Sequence, residues 1–256
     1  MTVTIKTLTP VSHGAFSDGI DLGNIQLFRR IPMIYNGEIY EVPVISGNAI
    51  RGKLRRLLAR ELVDRFELRE ELGKKFDKFY IAIANGGNLD KDMDVSINTE
   101  KIRELRSDFP MLSVLGSALY KFMMPGMCNI GYAYPRCKEL GNGDIALADI
   151  VTEIGQTRHI DKTVADPGEA KPMPYTVEAI VPGAELEFNI YFAPQSTPIE
   201  IACINHGLKL MQTIGGKNGA GFGFIEISGA ESDERYAEWL AADDTKQKLV
   251  AIAEAL

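Results

Sequence analysis

Residues 3–8 alternate in polarity. Val3, Ile5 and Thr7 fall on one side and Thr4, Lys6 and Leu8 on the other, which predicts a strand with one buried face. A glycine-rich stretch, SHGAFSDGIDLGN (12–24), reads as loop. A short strand is expected near Gln26–Phe28. The run IPMIYNGEIYEVPVI (31–45) predicts a hairpin, because Asn36-Gly37 tolerates the positive φ angles of a two-residue turn. From Ser46 the period changes from two to 3.6. Ile50, Leu54, Leu57, Leu58 and Leu62 then share one helical face, with Ser46 or Asn48 as the cap. Arg51, Arg55, Arg56 and Arg60 fall beside or opposite that face.

Residues 66–110 are charged and weakly helical, and 110–119 is apolar and punctuated by glycine. Asn129–Tyr134 predicts a short strand, and Asp144–Thr152 a strand or short helix. The segment 156–175 is polar and ends in Pro167, Pro172 and Pro174. It cannot build a core, so it predicts a protruding loop or hairpin. Two strands follow, Tyr175–Ile180 and Ala184–Phe192, joined by Val181-Pro182-Gly183. Then come an apolar helix over Glu200–Ile214, a glycine-rich loop, a strand over Phe222–Ser228 and a helical tail over 233–256. Strand, helix, two strands, helix, strand is a ferredoxin-like order. The chain therefore reads as one α+β domain over 1–256, an elaborated ferredoxin-like fold with long insertions.

Composition narrows the classes. The chain has 256 residues, 45% hydrophobic and 25% charged, which fits a globular protein and excludes a disordered or collagenous one. The three cysteines, Cys128, Cys137 and Cys203, form no CxxC pair. They support neither a thiolate zinc site nor a disulfide framework, and they fit a reducing cytoplasm. No run is apolar enough to span a membrane, and the N-terminal residues lack the apolar core of a signal peptide. The formal net charge of −7 argues against a generic basic nucleic-acid binder. That average hides a polarity. Residues 1–60 carry a net +4 and residues 226–256 a net −5, so a basic face is compatible with an acidic whole.

Four constellations carry candidate chemistry. VPVISGNAIRGKLRRLLAR (42–60) leads a strand into a capped helix. Its start offers free N–H groups, and Arg51, Lys53, Arg55 and Arg56 add charge for phosphates. Gly47 and Gly52 would let a polymer backbone approach. The same spacing also fits an ordinary amphipathic helix with a solvated basic side. GGKNGAGFG (215–223) packs five glycines into nine residues, with Lys217 and Asn218 available to phosphate or sugar. It lacks the GK[ST] of a Walker loop, and its glycines precede a strand, unlike a Rossmann fingerprint. It fits a helix C-cap and bulge equally well. The 156–175 protrusion carries Arg158, His159, Lys162, Lys171, Met173 and Tyr175, a mixture suited to wedging between bases or simply to a surface loop. In the first glycine-rich loop, His13, Asp18 and Asp21 could serve acid–base chemistry or none. No cofactor motif, metal-ligand spacing or GxSxG elbow is present.

Taken together, the Gly-containing loop after strand one, the SGNAIRGKLRR helix start, the Glu178–Gly183 element in VEAIVPGAELEF and the late GGKNGAGFG loop resemble the CRISPR-associated RAMP superfamily. Within it they resemble the repeated backbone subunit of Class 1 effector complexes. The resemblance runs from about Val3 to Ser228. It implies an RRM-like palm, inserted fingers (66–125) and a thumb hairpin (156–175). It also implies copies polymerising in a helical filament along a guide RNA (crRNA), with other effector subunits and a complementary target nucleic acid as partners and no membrane. His13, Arg29, Arg30, Ser46, Gly47, Asn48, Arg51, Lys53, Arg55, Arg56, Gly215, Gly216, Lys217, Asn218 and Gly219 would then face RNA. Arg158, His159, Lys162, Met173 and Tyr175 would form the thumb wedge, while base pairing reads the target. Type III members cut RNA with an Asp before the first helix, and Asp21 is the match by position. SGNAIRGKLRR departs from the type III form PGSSLKGKLR and is closer to type I or type IV, which implies a non-catalytic subunit. The alternatives are a metal-dependent target-RNA ribonuclease using Asp21 and a crRNA-processing endoribonuclease using His13 or His159.

Overall fold

The computed structural model describes residues 1–14, 25–89, 99–120, 122–157 and 174–255. Asp18, Asp21, Arg158, His159, Lys162, Lys171 and Met173 lie outside the described residues. In chain order the elements begin with β1 (Thr2–Thr7), β2 (Ile25–Gln26), β3 (Arg30–Tyr35), β4 (Glu38–Pro43) and α1 (Gly47–Phe66). They continue with α2 (Leu68–Leu72), α3 (Phe76–Ala84), β5 (Gly87–Leu89), α4 (Thr99–Asp108), α5 (Pro110–Leu115), β6 (Ser117–Tyr120) and β7 (Phe122–Met124). Next are β8 (Cys128–Ile130), β9 (Tyr134–Pro135), β10 (Val151–Thr157), β11 (Pro174–Ile180) and β12 (Glu185–Phe192). The chain closes with α6 (Pro198–Lys209), β13 (Ile225–Ser228), α7 (Arg235–Ala241) and α8 (Thr245–Ala255). The fold is α+β.

The central sheet runs β13-β1-β12-β8, with every neighbouring pair antiparallel and β9 also paired to β12. The helix α1 follows its first strand and α6 follows its third. Alternation decides the faces. Val3, Ile5 and Thr7 of β1 are buried, as are Leu186, Phe188 and Ile190 of β12, and these join Ile50, Leu54, Leu58 and Leu62 of α1 in one core. The stretch 66–125 is more helical than its composition suggests. Phe76, Phe79 and Ile83 of α3 pack into that same core, and all six residues of α5 are buried there. The tail residues Tyr236, Leu240 and Leu249 close it.

The Asn36-Gly37 turn is as expected. Both residues have positive φ (50° and 85°), and β3 pairs with β4 up to Tyr35↔Glu38. Val181-Pro182-Gly183 does not close a hairpin, because β11 and β12 belong to different sheets. Instead the turn anchors on β1: the Thr7 hydroxyl donates to the Val181 carbonyl at 2.7 Å, and the Gly183 N–H to the Thr7 carbonyl at 2.7 Å. The strands β10 and β11 form an antiparallel pair out to Thr157↔Pro174. The expected 156–175 protrusion is therefore rooted on a seven-residue strand on each side. The cysteines are free and buried. Among the described residues no helix is long and apolar enough to cross a membrane, and no group of three or more His, Cys, Asp or Glu is arranged to hold a metal ion.

Candidate nucleic-acid interface

The segment 10–14 joins the elements singled out from the sequence. The Gly223 N–H donates to the Pro10 carbonyl at 2.8 Å, and the Val11 N–H to the Ile180 carbonyl at 3.0 Å. The Ser12 carbonyl accepts from the Gly216 N–H at 2.9 Å, and the His13 carbonyl accepts from the Arg29 N–H at 2.8 Å. His13 Nε2 accepts from the Ser46 N–H at 3.3 Å. Four residues thus tie together the glycine-rich loop, the C-terminal end of β11, the 28–30 strand start and the start of α1.

At that helix start Ser46, not Asn48, is the cap, and its Oγ accepts from the Ala49 N–H at 3.3 Å. Asn48 is exposed. The Gly47 and Asn48 N–H groups have no acceptor among the described residues. A helix of 20 residues adds its dipole there. Gly47 is glycine for an internal reason. A Cβ on it would lie 2.0 Å from the Ile130 carbonyl oxygen, so the close approach is to the protein's own strand.

His13 works as an acceptor. Burial first, and then the Arg29 charge, lower its pKa below the ordinary value of 6.5, so the neutral imidazole receives the Ser46 N–H. A base with a lowered native pKa binds fewer protons folded than unfolded. Stability is therefore unaffected above about pH 6.5 and falls as pH drops from there through the lowered native value. His13→Gln keeps an acceptor but does not titrate. The difference in unfolding free energy between pH 7 and pH 5 should shrink in this variant relative to the parent. An identical pH profile for the two proteins would show that His13 is not coupled to folding.

The basic residues divide into bound and free. Arg55, expected beside or opposite the apolar face of α1, is 7% exposed. Its Nη2 donates to the carbonyls of Leu115 and Gly116 at 2.8 and 2.7 Å, closing the C-terminal end of α5. Burial first, then Arg51, pulls its pKa down to about 10, so it stays charged at neutral pH. Arg30 is also engaged. It makes a two-pronged ion pair with Glu178 (2.7 and 3.1 Å), and the Phe28 N–H donates to the same carboxylate at 2.6 Å. Burial raises the Glu178 pKa, but Arg30 and the Phe28 N–H outweigh it, and the net shift is downward. Arg51 donates to the Cys128 carbonyl at 3.0 Å.

Lys53 donates to the Thr213 hydroxyl at 2.7 Å, just before the glycine-rich loop. Burial, then the charges of Arg56 and Arg60, lower the Lys53 pKa, so three like charges gather beside that loop. Arg56 and Arg60 are exposed. Arg60 is a site candidate that sequence reasoning left out, although its i+4 spacing from Arg56 signals it. Arg29 has a buried Nε without a partner among the described residues.

The loop itself has backbone requirements. Gly215, Lys217, Gly221 and Gly223 all have positive φ, which is strained for Lys217. Asn218 Nδ2 donates to the Phe222 carbonyl at 3.0 Å and folds the loop on itself. Gly219 is exposed with open space where a Cβ would stand. Lys217 Nζ sits 4.5 Å from the Tyr175 ring centroid, and Tyr175 donates to Gln156 Oε1. Phe222 packs with Val177 and Ala179. The glycine-rich loop and β11 are therefore in contact, a pairing that no sequence spacing reveals.

No protein-family model matches the chain, and no curated protein matches it. Among solved structures, a chain of a type IV-B CRISPR complex shares the fold, with a TM-score of 0.60 and 19% identity over 94% of this chain and 99% of that one. A looser likeness is to a chain of the type III-B Cmr-beta assembly bound to cognate target RNA. Its TM-score is 0.43 at 17% identity, over 90% of this chain and 58% of that one.

Proposed function

We propose that this chain is a guide-RNA-binding backbone subunit of a CRISPR effector complex, closer to type IV than to type III. It would polymerise along the crRNA and present it for pairing with a target. The reading is supported by the fold shared with a type IV-B CRISPR complex chain over nearly the full length of both. Its central sheet order, with α1 after the first strand and α6 after the third, fits an elaborated ferredoxin-like, RRM-like palm. The observation that carries it is the meeting, on segment 10–14, of the α1 start, the glycine-rich loop and the Ile180 end of β11. The Gly47 and Asn48 N–H groups, without acceptors among the described residues, the cations Arg56, Arg60 and Lys217, and Tyr175 lie along elements joined by that segment. A single-stranded polymer is held in this way, by backbone charge and an aromatic platform. We read the subunit as non-catalytic from its SGNAIRGKLRR helix start; Asp21→Ala should leave target RNA handling unchanged.

Expressed with a CRISPR transcript, the protein should co-purify as an oligomer with RNA of uniform length, protected from nuclease. Protein that stays RNA-free and monomeric when guide is added overturns the proposal. In the assembled particle, replacing Arg56, Arg60 and Lys217 together by Ala should weaken RNA binding roughly tenfold or more, whatever the sequence. It should also flatten the salt dependence by about two in log–log slope, as expected for three lost single-strand phosphate contacts. An unchanged slope would remove these residues from the interface.

A further inference from the structure

On the outer face of the central sheet lies a cavity of about 390 Å³. Four of the nine tyrosines in the chain line it: Tyr35, Tyr132, Tyr134 and Tyr191. Tyr191 is 63% exposed and Tyr132 40%, and the Tyr132 and Tyr134 rings stand 6.4 Å apart at 52°. The only charged residue among the lining residues is Glu187. It alternates outward with Tyr191 along β12, and its register partners are Tyr134 on β9 and Thr4 on β1. Neighbouring acids differ from it: Glu185 is paired with Arg136 at 3.1 Å. Glu187 has no ion-pair partner among the described residues. The amide oxygens of the lining residues Asn142 and Asn189 already accept from the Cys137 N–H and the Thr2 hydroxyl, at 2.9 and 2.8 Å. The charged acceptor among the lining residues is the Glu187 carboxylate.

We infer that this cavity binds an arginine side chain presented by a protein partner. Tyrosine faces attract a guanidinium and let its plane stack, and a lone carboxylate matches its fork of donors. A phosphodiester backbone is disfavoured at the same place, because Glu187 repels it and none of the lining residues supplies a cation.

The test uses the whole protein and three probes in calorimetric titration: a capped Gly-Arg-Gly peptide, the same peptide with uncharged citrulline, and adenosine. The arginine peptide should bind at least tenfold more tightly than the citrulline peptide, and it should weaken as salt rises. Glu187→Gln and Tyr191→Ala should each lower its affinity about tenfold. Both substitutions fall on half-buried or exposed side chains, and circular dichroism confirms folding. Equal binding of the two peptides, absence of arginine binding, or tighter binding of adenosine overturns the inference; the last result would make the cavity a nucleobase site.

Discussion

Arg55→Met should lower the unfolding free energy by about 3 kcal/mol. Arg55 lies on α1 among basic neighbours, yet its guanidinium is buried against the end of α5. The last carbonyls of any helix lack partners inside it. Here those of Leu115 and Gly116 are supplied by one Nη2, at 2.8 and 2.7 Å. Methionine fills similar volume but donates nothing, and each buried carbonyl left unsatisfied costs about 1–3 kcal/mol. Removing a buried charge returns part of that, since Arg55 Nη1 has no partner among the described residues. Arg55→Lys keeps the charge with a different donor geometry and should cost less. Denaturant midpoints with unchanged slopes are the measurement. If Arg55→Met is as stable as the parent, the carbonyls are served by water and the capping role fails. RNA affinity separates the two roles of the helix: folded Arg55→Lys should bind RNA normally, whereas loss of Arg56 and Arg60 should not alter stability.

Gly47→Ala should be destabilising by about 3 kcal/mol, against the expectation from helix propensity, which favours alanine over glycine by up to about 1 kcal/mol. The added Cβ would stand 2.0 Å from the Ile130 oxygen and 2.8 Å from the Gly131 oxygen. Neither can retreat. Ile130 pairs with Ile190 on β12, and the Gly131 N–H donates to the Asn189 carbonyl at 2.9 Å. The start of α1 would have to lift from the sheet, and with it the Ser46–His13 bond. Gly52 on the same helix is the control. A Cβ there meets only the tip of the Arg56 side chain, at 3.2 Å, which can swing aside. Gly52→Ala should therefore be neutral or stabilising by a few tenths of a kcal/mol to about 1 kcal/mol. Thermal or denaturant unfolding of the pair decides it. Equal effects at the two glycines would mean that the helix start adjusts freely.

The elements legible in the sequence are those with a local cause. Alternation in 3–8, the Asn36-Gly37 turn and the 3.6 period from Ser46 each act over a few residues, and the structure has them within a residue or two. The helix over Glu200–Ile214 is shorter than its apolar run. It starts at Pro198 behind a Thr197–Glu200 capping box and ends at Lys209, since 210–214 pass into the glycine-rich loop region. The helical content of 66–125 was hidden because short helices there are stabilised by packing against α1 and the tail, not by a long period of their own. Periodicity assigns Arg55 to the border of the apolar stripe, and only the position of α5 turns it inward. Arg30 reads as a free cation until β11 brings Glu178, 148 residues away, against it.

What the sequence determines by itself is the inventory. It contains a β-strand leading to a glycine-rich loop, a capped basic helix, a glycine loop late in the chain and a polar segment over 156–175, with positive charge gathered at the N-terminal end. Which of those charges meet solvent, which glycines serve the protein's own packing and which loops touch is decided by tertiary structure. Those outcomes depend on contacts between residues 30 to more than 200 positions apart, such as His13 with Ser46 and Thr9 with Phe224. Local patterns carry no record of them. Burial and register select one neighbour among many, and that selection turns Arg55 and Arg30 into structural groups. It leaves Arg56 and Arg60 exposed, Lys217 over the Tyr175 ring, and Glu187 among tyrosines without an ion-pair partner among the described residues.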